Sequence, residues 1–167
     1  MRFEFYHDGL LEVPKLSVDG TVDNAVHFSH WRDNETPEPL RADTSTEIAL
    51  NLVGSDDAER FTRGIELVTN NHFDTDGVLS VWTVLTGRPA LALREQLGAA
   101  AEAGDFSEYT TPAAVRASLV IQGADNLVPD TGVASPLARL RAGGRDVEAA
   151  EAYELVLPEV ERVLTRT

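Results

Sequence analysis

The chain has 167 residues and a mass of 18.1 kDa, enough for one domain with a core of its own and too few for two large ones. Its 14 basic and 28 acidic residues give a net charge of −14, which repels a phosphate backbone and argues against general nucleic-acid binding. The absence of cysteine excludes disulfide scaffolds, thiolate zinc sites and cysteine nucleophiles. No run approaches the about 18 apolar residues of a membrane span, and the acidic start MRFEFYHDG is unlike a signal peptide, so no membrane association and a cytoplasmic location are expected.

Short β-type runs come first: Arg2–Tyr6, then Leu16–Asp19 ending at an Asp19-Gly20 turn, then Ala25–His30 with Val26 and Phe28 alternating against Ala25 and His27. Residues Trp31 to Ala42 carry Asp33, Asn34, Pro37 and Pro39 and must loop. A helix is expected from about Thr44, where Glu47 follows a capping threonine by three and Ile48, Leu52 and Val53 fall at helical spacing. A short helix over Asp56–Arg63, closed by Gly64, precedes a β-branched run at Ile65–Thr69. The polar loop Asn70–Gly77 then leads into an amphipathic helix over Val78–Thr86, with Val78, Val81, Trp82 and Leu85 on one stripe. The remainder reads as helices over Ala90–Ala103, closed at Gly104, and Pro112–Gly123, a Pro/Gly-rich joint from Val128 to Pro136, and a last helix over Asp146–Leu164 bent at Pro158. This order predicts a single α/β domain, a mainly parallel sheet flanked by helices. Its strand-rich part, 1–77, would carry the site, and 78–167 would be mostly helical.

Within the polar loop, Asn71, His72, Asp74 and Asp76 crowd together, and the alternate spacing of the last three lets the imidazole and both carboxylates converge on one point. These are donors that a hard or borderline divalent cation takes. Without a cation, two carboxylates a few ångströms apart would raise one another's pKa. In open α/β sheets, ligands bind beyond the carboxyl ends of the strands, where this loop would lie. The competing reading is local: Asp74 and Asp76 cap the next helix and Gly77 supplies a turn. An EF-hand would place His72, Asp74, Asp76 and Gly77 at its positions one, three, five and six, but Thr83 stands where the bidentate glutamate belongs. Neither a Gly-x-Ser-x-Gly elbow nor a Gly-x-x-x-x-Gly-Lys phosphate loop is present, and Lys15 is the only lysine.

The run His72-Phe73-Asp74-Thr75-Asp76-Gly77, with Ser80 after it, resembles the first motif of the DHH (Asp-His-His) phosphoesterase superfamily. Segments ahead of it resemble that family's later motifs. Asp19 resembles the second-motif aspartate that bridges the metals. Ser29-His30-Trp31 resembles the signature with only its middle, metal-binding histidine kept, and Thr44-Ser45-Thr46-Glu47-Ile48 resembles the small-residue helix start that follows the signature. The resemblance spans about Asp19–Leu85 and implies a DHH-like fold whose motif order is circularly permuted, as nearby termini allow. It implies one or two Mn2+ or Mg2+ ions held by His72, Asp74, Asp76, Asp19 and His30, with His30 and Asp76 as catalytic residues. Serine and tryptophan replace the signature's aspartate and second histidine, and Asp105 and Asp125 are the candidates for a fourth-motif aspartate.

Around such a centre Arg32, Arg41 and Asn71 are expected to bind substrate, the arginines by meeting a phosphate bidentately, with Trp31 forming a wall. The expected function is a divalent-metal-dependent phosphohydrolase or phosphoesterase-like domain acting on a small phosphorylated or nucleotide-type substrate. The alternative expectation is a metal- or ligand-binding module that keeps the framework without turnover. Oligomeric state has no signature in the sequence.

Overall fold

A computed structural model describes residues 1–124 and 148–166. Four strands, β1 (Arg2–Phe3), β2 (Lys15–Val18), β3 (Ala25–Phe28) and β4 (Leu67–Thr69), form one all-parallel sheet in the order β1-β4-β2-β3. Seven α-helices are described: α1 (Ser45–Gly54), α2 (Ala58–Thr62), α3 (Thr75–Thr86), α4 (Arg94–Asp105), α5 (Pro112–Gln122), α6 (Ala149–Val156) and α7 (Val160–Thr165). The expected α/β architecture with a helical C-terminal part is the one found. The proline-rich joint, the start of the last helix before residue 148, and Asp125 lie outside the described residues.

The central strands β2 and β4 are buried at every position, as strands covered on both faces must be. Leu16, Val18, Leu67 and Val68 supply their apolar bulk. Ser17 and Thr69 are tolerated because their hydroxyls donate to the carbonyls of Gly20 and Glu4. α3 packs on α1 and α4 and lies against β1, β2 and β4. Its fully buried Val78, Leu79 and Val81 join Phe28, Ile48, Leu50, Leu97, Ile121 and Tyr153 in the core, each worth about 1.5–3 kcal/mol for a side chain of that size.

Parallel neighbours normally need a crossover of a dozen or more residues, yet β2 returns to β3 through residues 19–24 alone. The reversal is made by left-handed backbone at both ends, Asp19 at φ 65° and Asn24 at φ 51°, a conformation that Asp and Asn tolerate better than other side chains. At the opposite end of the sheet the Lys15 side chain is buried, and its Nζ donates to the carbonyls of Leu10, Leu11, Val13 and Asn24 at 2.9–3.4 Å.

Most boundaries shift from the sequence reading by one to three residues, β2, β3, β4 and α2 among them, and the shifts of β1, α3 and α4 have structural causes. The ladder of β1 ends at Phe3, although the amides of Glu4 and Tyr6 still bond to the carbonyls of Val68 and Asn70. α3 begins at Thr75, one turn before Val78, because Asp74 caps it by accepting from the Gly77 amide at 2.7 Å. α4 runs through Gly104 and is preceded by a 3-10 segment over Arg88–Leu93. Gly104 marks a close approach, since a Cβ there would lie 2.7 Å from the Cβ of Thr75. Pro158 falls in a 3-10 turn, Leu157–Glu159, that separates α6 from α7, consistent with the expected bend.

Candidate metal centre

The carboxyl ends of β2, β3 and β4 deliver Asp19, then Ser29 and His30, then the loop Asn70–Asp74, to one place. The amino ends of α1 and α3 face them. Asp19 is fully buried and holds left-handed backbone, a conformation that clusters at functional sites. Its Oδ1 accepts from the Ser45 hydroxyl at 2.9 Å. Its Oδ2 is 2.8 Å from His72 Nε2 but has no aligned hydrogen-bond donor. The His72 imidazole is the positive group that meets this oxygen, close enough for an ion pair but without a hydrogen bond of good geometry, so part of the cost of burying the carboxylate is left uncompensated.

Two groups of converging donors share Asp19. One is Asp19, His72 and Asp74; the other is Asp19, His30 and Asp76, with the donor atoms of each within 4.8 Å of one another. His72 Nε2 lies 3.1 Å from Asp74 Oδ2, and His30 Nδ1 lies 3.3 Å from Asp76 Oδ2. Nδ1 of His30 is likewise buried without a hydrogen-bond partner. The three side chains of the loop therefore do not converge on a single point as the spacing suggested. Asp76 turns the other way, because it sits in the first turn of α3 and faces the start of α1, where the Ser45 and Thr46 amides donate to its two oxygens at 2.7 and 2.8 Å. The free amides of a helix start attract an anion, so Asp76 ties α3 to α1 as well as facing the site. Asp74 combines two readings the sequence set against each other: Oδ1 caps α3 while Oδ2 faces His72.

The electrostatics are those of several carboxylates gathered around two imidazoles. Burial raises the Asp19 carboxyl; His72 opposes this, while Asp76 and Asp74 add to it. Burial alone would pull the His72 imidazole down, but Asp19 and Asp74 outweigh it and push it up to about 10. Asp74 is raised by burial and, on balance, held below the usual range by His72 and the Gly77 amide. His30 is raised, chiefly by Asp76. Asp105, at the end of α4, is pushed up to about 7 by burial and then by Asp76, Asp74 and Asp19.

A frame that the sequence did not announce holds the loops together. Asn70 is fully buried: its Oδ1 accepts from the Gly20 and Asn71 amides at 3.1 and 2.7 Å, and its Nδ2 donates to the Tyr153 hydroxyl at 2.9 Å. One amide thus joins the turn after β2, the loop after β4 and helix α6. The packing beneath is tight enough to require Gly77, where a Cβ would lie 2.5 Å from Asn70 Nδ2 and 2.7 Å from Tyr153 Oη. Ser45 is as central, accepting from the His30 amide while its own amide and hydroxyl serve Asp76 and Asp19. Neither Asn70 nor Tyr153 has a sequence signature. Their only signal is polarity at positions the strand and helix periods place inside.

The expected substrate residues fall in two places. Arg32 and Arg41 are exposed and line a shallow depression beside the centre with Ser29, His30, Trp31 and Asn34. The Arg41 Nε also donates to the Thr36 carbonyl at 3.0 Å. Asn71 is engaged locally: Oδ1 accepts from His72 Nδ1 at 3.0 Å and Nδ2 donates to the Thr21 carbonyl at 3.2 Å. The Trp31 ring, 40 % exposed, stands 5.1 Å from the His72 ring, and Phe106, 45 % exposed, stands 6.0 Å from His30.

Compared with known proteins, residues 2–167 match the family model described as "Family of unknown function (DUF6687)". No curated protein and no solved structure matches the chain.

Proposed function

We propose that this chain, which belongs to the DUF6687 family over nearly its whole length, is a divalent-metal-dependent phosphohydrolase-like domain related to the DHH phosphoesterases. The observation that carries this reading is the buried Asp19, which belongs to both His/Asp groups and whose Oδ2 has no aligned donor. The donor set suits a divalent cation: its carboxylate oxygens favour Mn2+ or Mg2+, and its imidazole on each side makes Zn2+ the ion to include as a competitor in the titration. Strand order supports the permuted resemblance, because β4, β2 and β3, which carry the segments resembling the first, second and third motifs, are consecutive neighbours in the sheet.

When bound, a divalent cation supplies Lewis-acid polarisation of a phosphoryl oxygen and an acidified water. The chain's own residues provide the rest. Asp19 joins the two halves of the centre, His72 with Asp74 forms one half, and His30 with Asp76 forms the other. Arg32 and Arg41 bring positive charge to a molecule of net charge −14 and orient an anionic substrate from the adjoining depression. Trp31 screens the His72 side from water and offers a flat face to a planar substituent of the substrate.

The test is a Mn2+ titration by calorimetry on the chelator-stripped chain, followed by turnover on phosphodiesters, nucleotides and pyrophosphate. One or two ions per chain with Mn2+-dependent hydrolysis is expected, and Asp19→Asn should remove both. Failure to bind any ion overturns the reading. Ions bound without turnover on any substrate would select the binding module instead, which the tryptophan standing over His72 in place of the signature's second histidine favours.

A further inference from the structure

The two histidines of the centre are built alike. His72 turns Nε2 toward Asp19 and Asp74, and its Nδ1 donates to Asn71 Oδ1 at 3.0 Å. His30 turns Nδ1 toward Asp76 and has Asp105 Oδ2 3.4 Å from Nε2. Each ring thus has one nitrogen among the carboxylates and one facing a separate acceptor, so that with a cation held among the carboxylates the outer nitrogen would carry the proton and the inner one would offer its lone pair. Asp105 belongs to neither group of converging donors, so its link to the centre runs through the His30 ring.

We infer, building on the metal centre proposed above, that Asp105 is the positioning residue of its His30 half: it takes the hydrogen bond from Nε2–H and leaves the lone pair of Nδ1 to meet the cation held with Asp19 and Asp76. Three features of the fold support this role. Asp105 is the last residue of α4, where the helix dipole disfavours a carboxylate, so helix stability does not call for an acid there. The residue before it is held in place by the close approach of Gly104 to Thr75, the first residue of α3, which fixes the end of α4 relative to Asp74 and Asp76. The Asp105 side chain is turned in, 17 % exposed, beside a His30 that is 16 % exposed. The counterpart of Asp105 at His72 is the neutral Asn71, so the two halves differ in the charge behind their imidazoles. A carboxylate partner makes its imidazole the more basic ligand.

The experiment compares Asp105→Ala, Asp105→Asn and His30→Ala with wild type in the full chain, reading Mn2+ binding steps by calorimetry and the His30 tautomer by 15N NMR with Mg2+ bound. Asp105→Ala should weaken one binding step about 10- to 100-fold, the range typical of such partners, leave the other unchanged, and release His30 into mixed tautomers. Asp105→Asn keeps an acceptor and should lose less, with Nε2 still protonated. Unchanged binding and an unchanged tautomer in Asp105→Ala overturn the inference. So does an Asp105→Asn loss as deep as that of His30→Ala with the tautomer unmoved, which would make Asp105 a ligand itself. Should wild type bind no ion, the proposed function fails on its own. The NMR reading of the metal-free chain at alkaline pH then decides the inference, and His30 protonated at Nδ1 overturns it.

Discussion

Asp19 combines full burial, left-handed backbone and a carboxylate oxygen without an aligned donor. A residue kept under such conditions at the expense of stability is typical of sites selected for something other than folding. Asp19→Asn keeps the size of the side chain and an oxygen for the Ser45 hydroxyl, and removes the buried charge. The metal-free variant is expected to gain about 1 kcal/mol of stability by urea denaturation, while Mn2+ binding is lost. Asp76→Ala behaves differently: its oxygens hold the Ser45 and Thr46 amides, so it should cost roughly 1–3 kcal/mol as well as the ion. Protons compete for the same atoms. The ordinary value for His72 is 6.5 and its folded value is about 10, so its contribution to stability is complete below pH 6.5 and fades as pH rises through 10. Asp105 rises from 3.8 to about 7, so its share is complete below 3.8 and is lost as pH passes 7. The metal-free chain should therefore lose stability from the weakly acidic range upward. Mn2+ affinity should strengthen with pH, because binding displaces the His72 proton. Calorimetric titrations at several pH values in two buffers of different ionisation enthalpy would show that proton release. At this scale the cluster His72, Asp74, Asp76 was legible from spacing. The split between its carboxylates was not, because it depends on where the start of α1 arrives from thirty residues away in sequence.

Elements rather than residues explain how the centre is held. The turn after β2 and the loop after β4 meet through Asn70, and α6 reaches under both with the hydroxyl of Tyr153. Tyr153 is also packed against the rings of Phe3, Phe5 and Phe73. Tyr153→Phe keeps that packing and strands the Asn70 Nδ2. The expected cost is about 1–3 kcal/mol in denaturant unfolding, the penalty of a buried unpaired donor. Mn2+ binding should weaken at the same time, since the loops lose their common brace. A variant with unchanged stability and affinity would show that α6 is only a lid on the sheet. The helices themselves were readable from the 3.6-residue period and from caps such as Thr44 with Glu47, which form the full capping box. Their ends were less readable where tertiary contact overrides a local rule: Gly104 has the look of a terminator and is a point of helix contact instead. The pairing of β2 with β3 was hidden for a similar reason, because a six-residue return between parallel strands is rare and rests on two residues with positive φ.

Of the 28 acids of the chain, Asp19, Asp74, Asp76 and Asp105 gather around His30 and His72 at the strand ends, so an ion bound among them would couple binding to folding. At a free Mn2+ concentration 100-fold above its dissociation constant, a single site adds about 2.7 kcal/mol to stability. Thermal unfolding should rise in temperature with Mn2+ and return on chelation, and Asp19→Asn should abolish that response. No helix among the described residues is long and apolar enough to cross a membrane, in line with the hydropathy of the sequence. At the far end of the sheet from the candidate metal centre, Lys15 spends its ammonium on four carbonyls in the interior. Because it is the only lysine in the chain, no side-chain amine is open to acylating reagents while the fold is closed. Capture of Lys15 by such a reagent would then time the opening of this sheet end, one chemical event per chain, in a protein where every other side-chain cation is an arginine or a histidine.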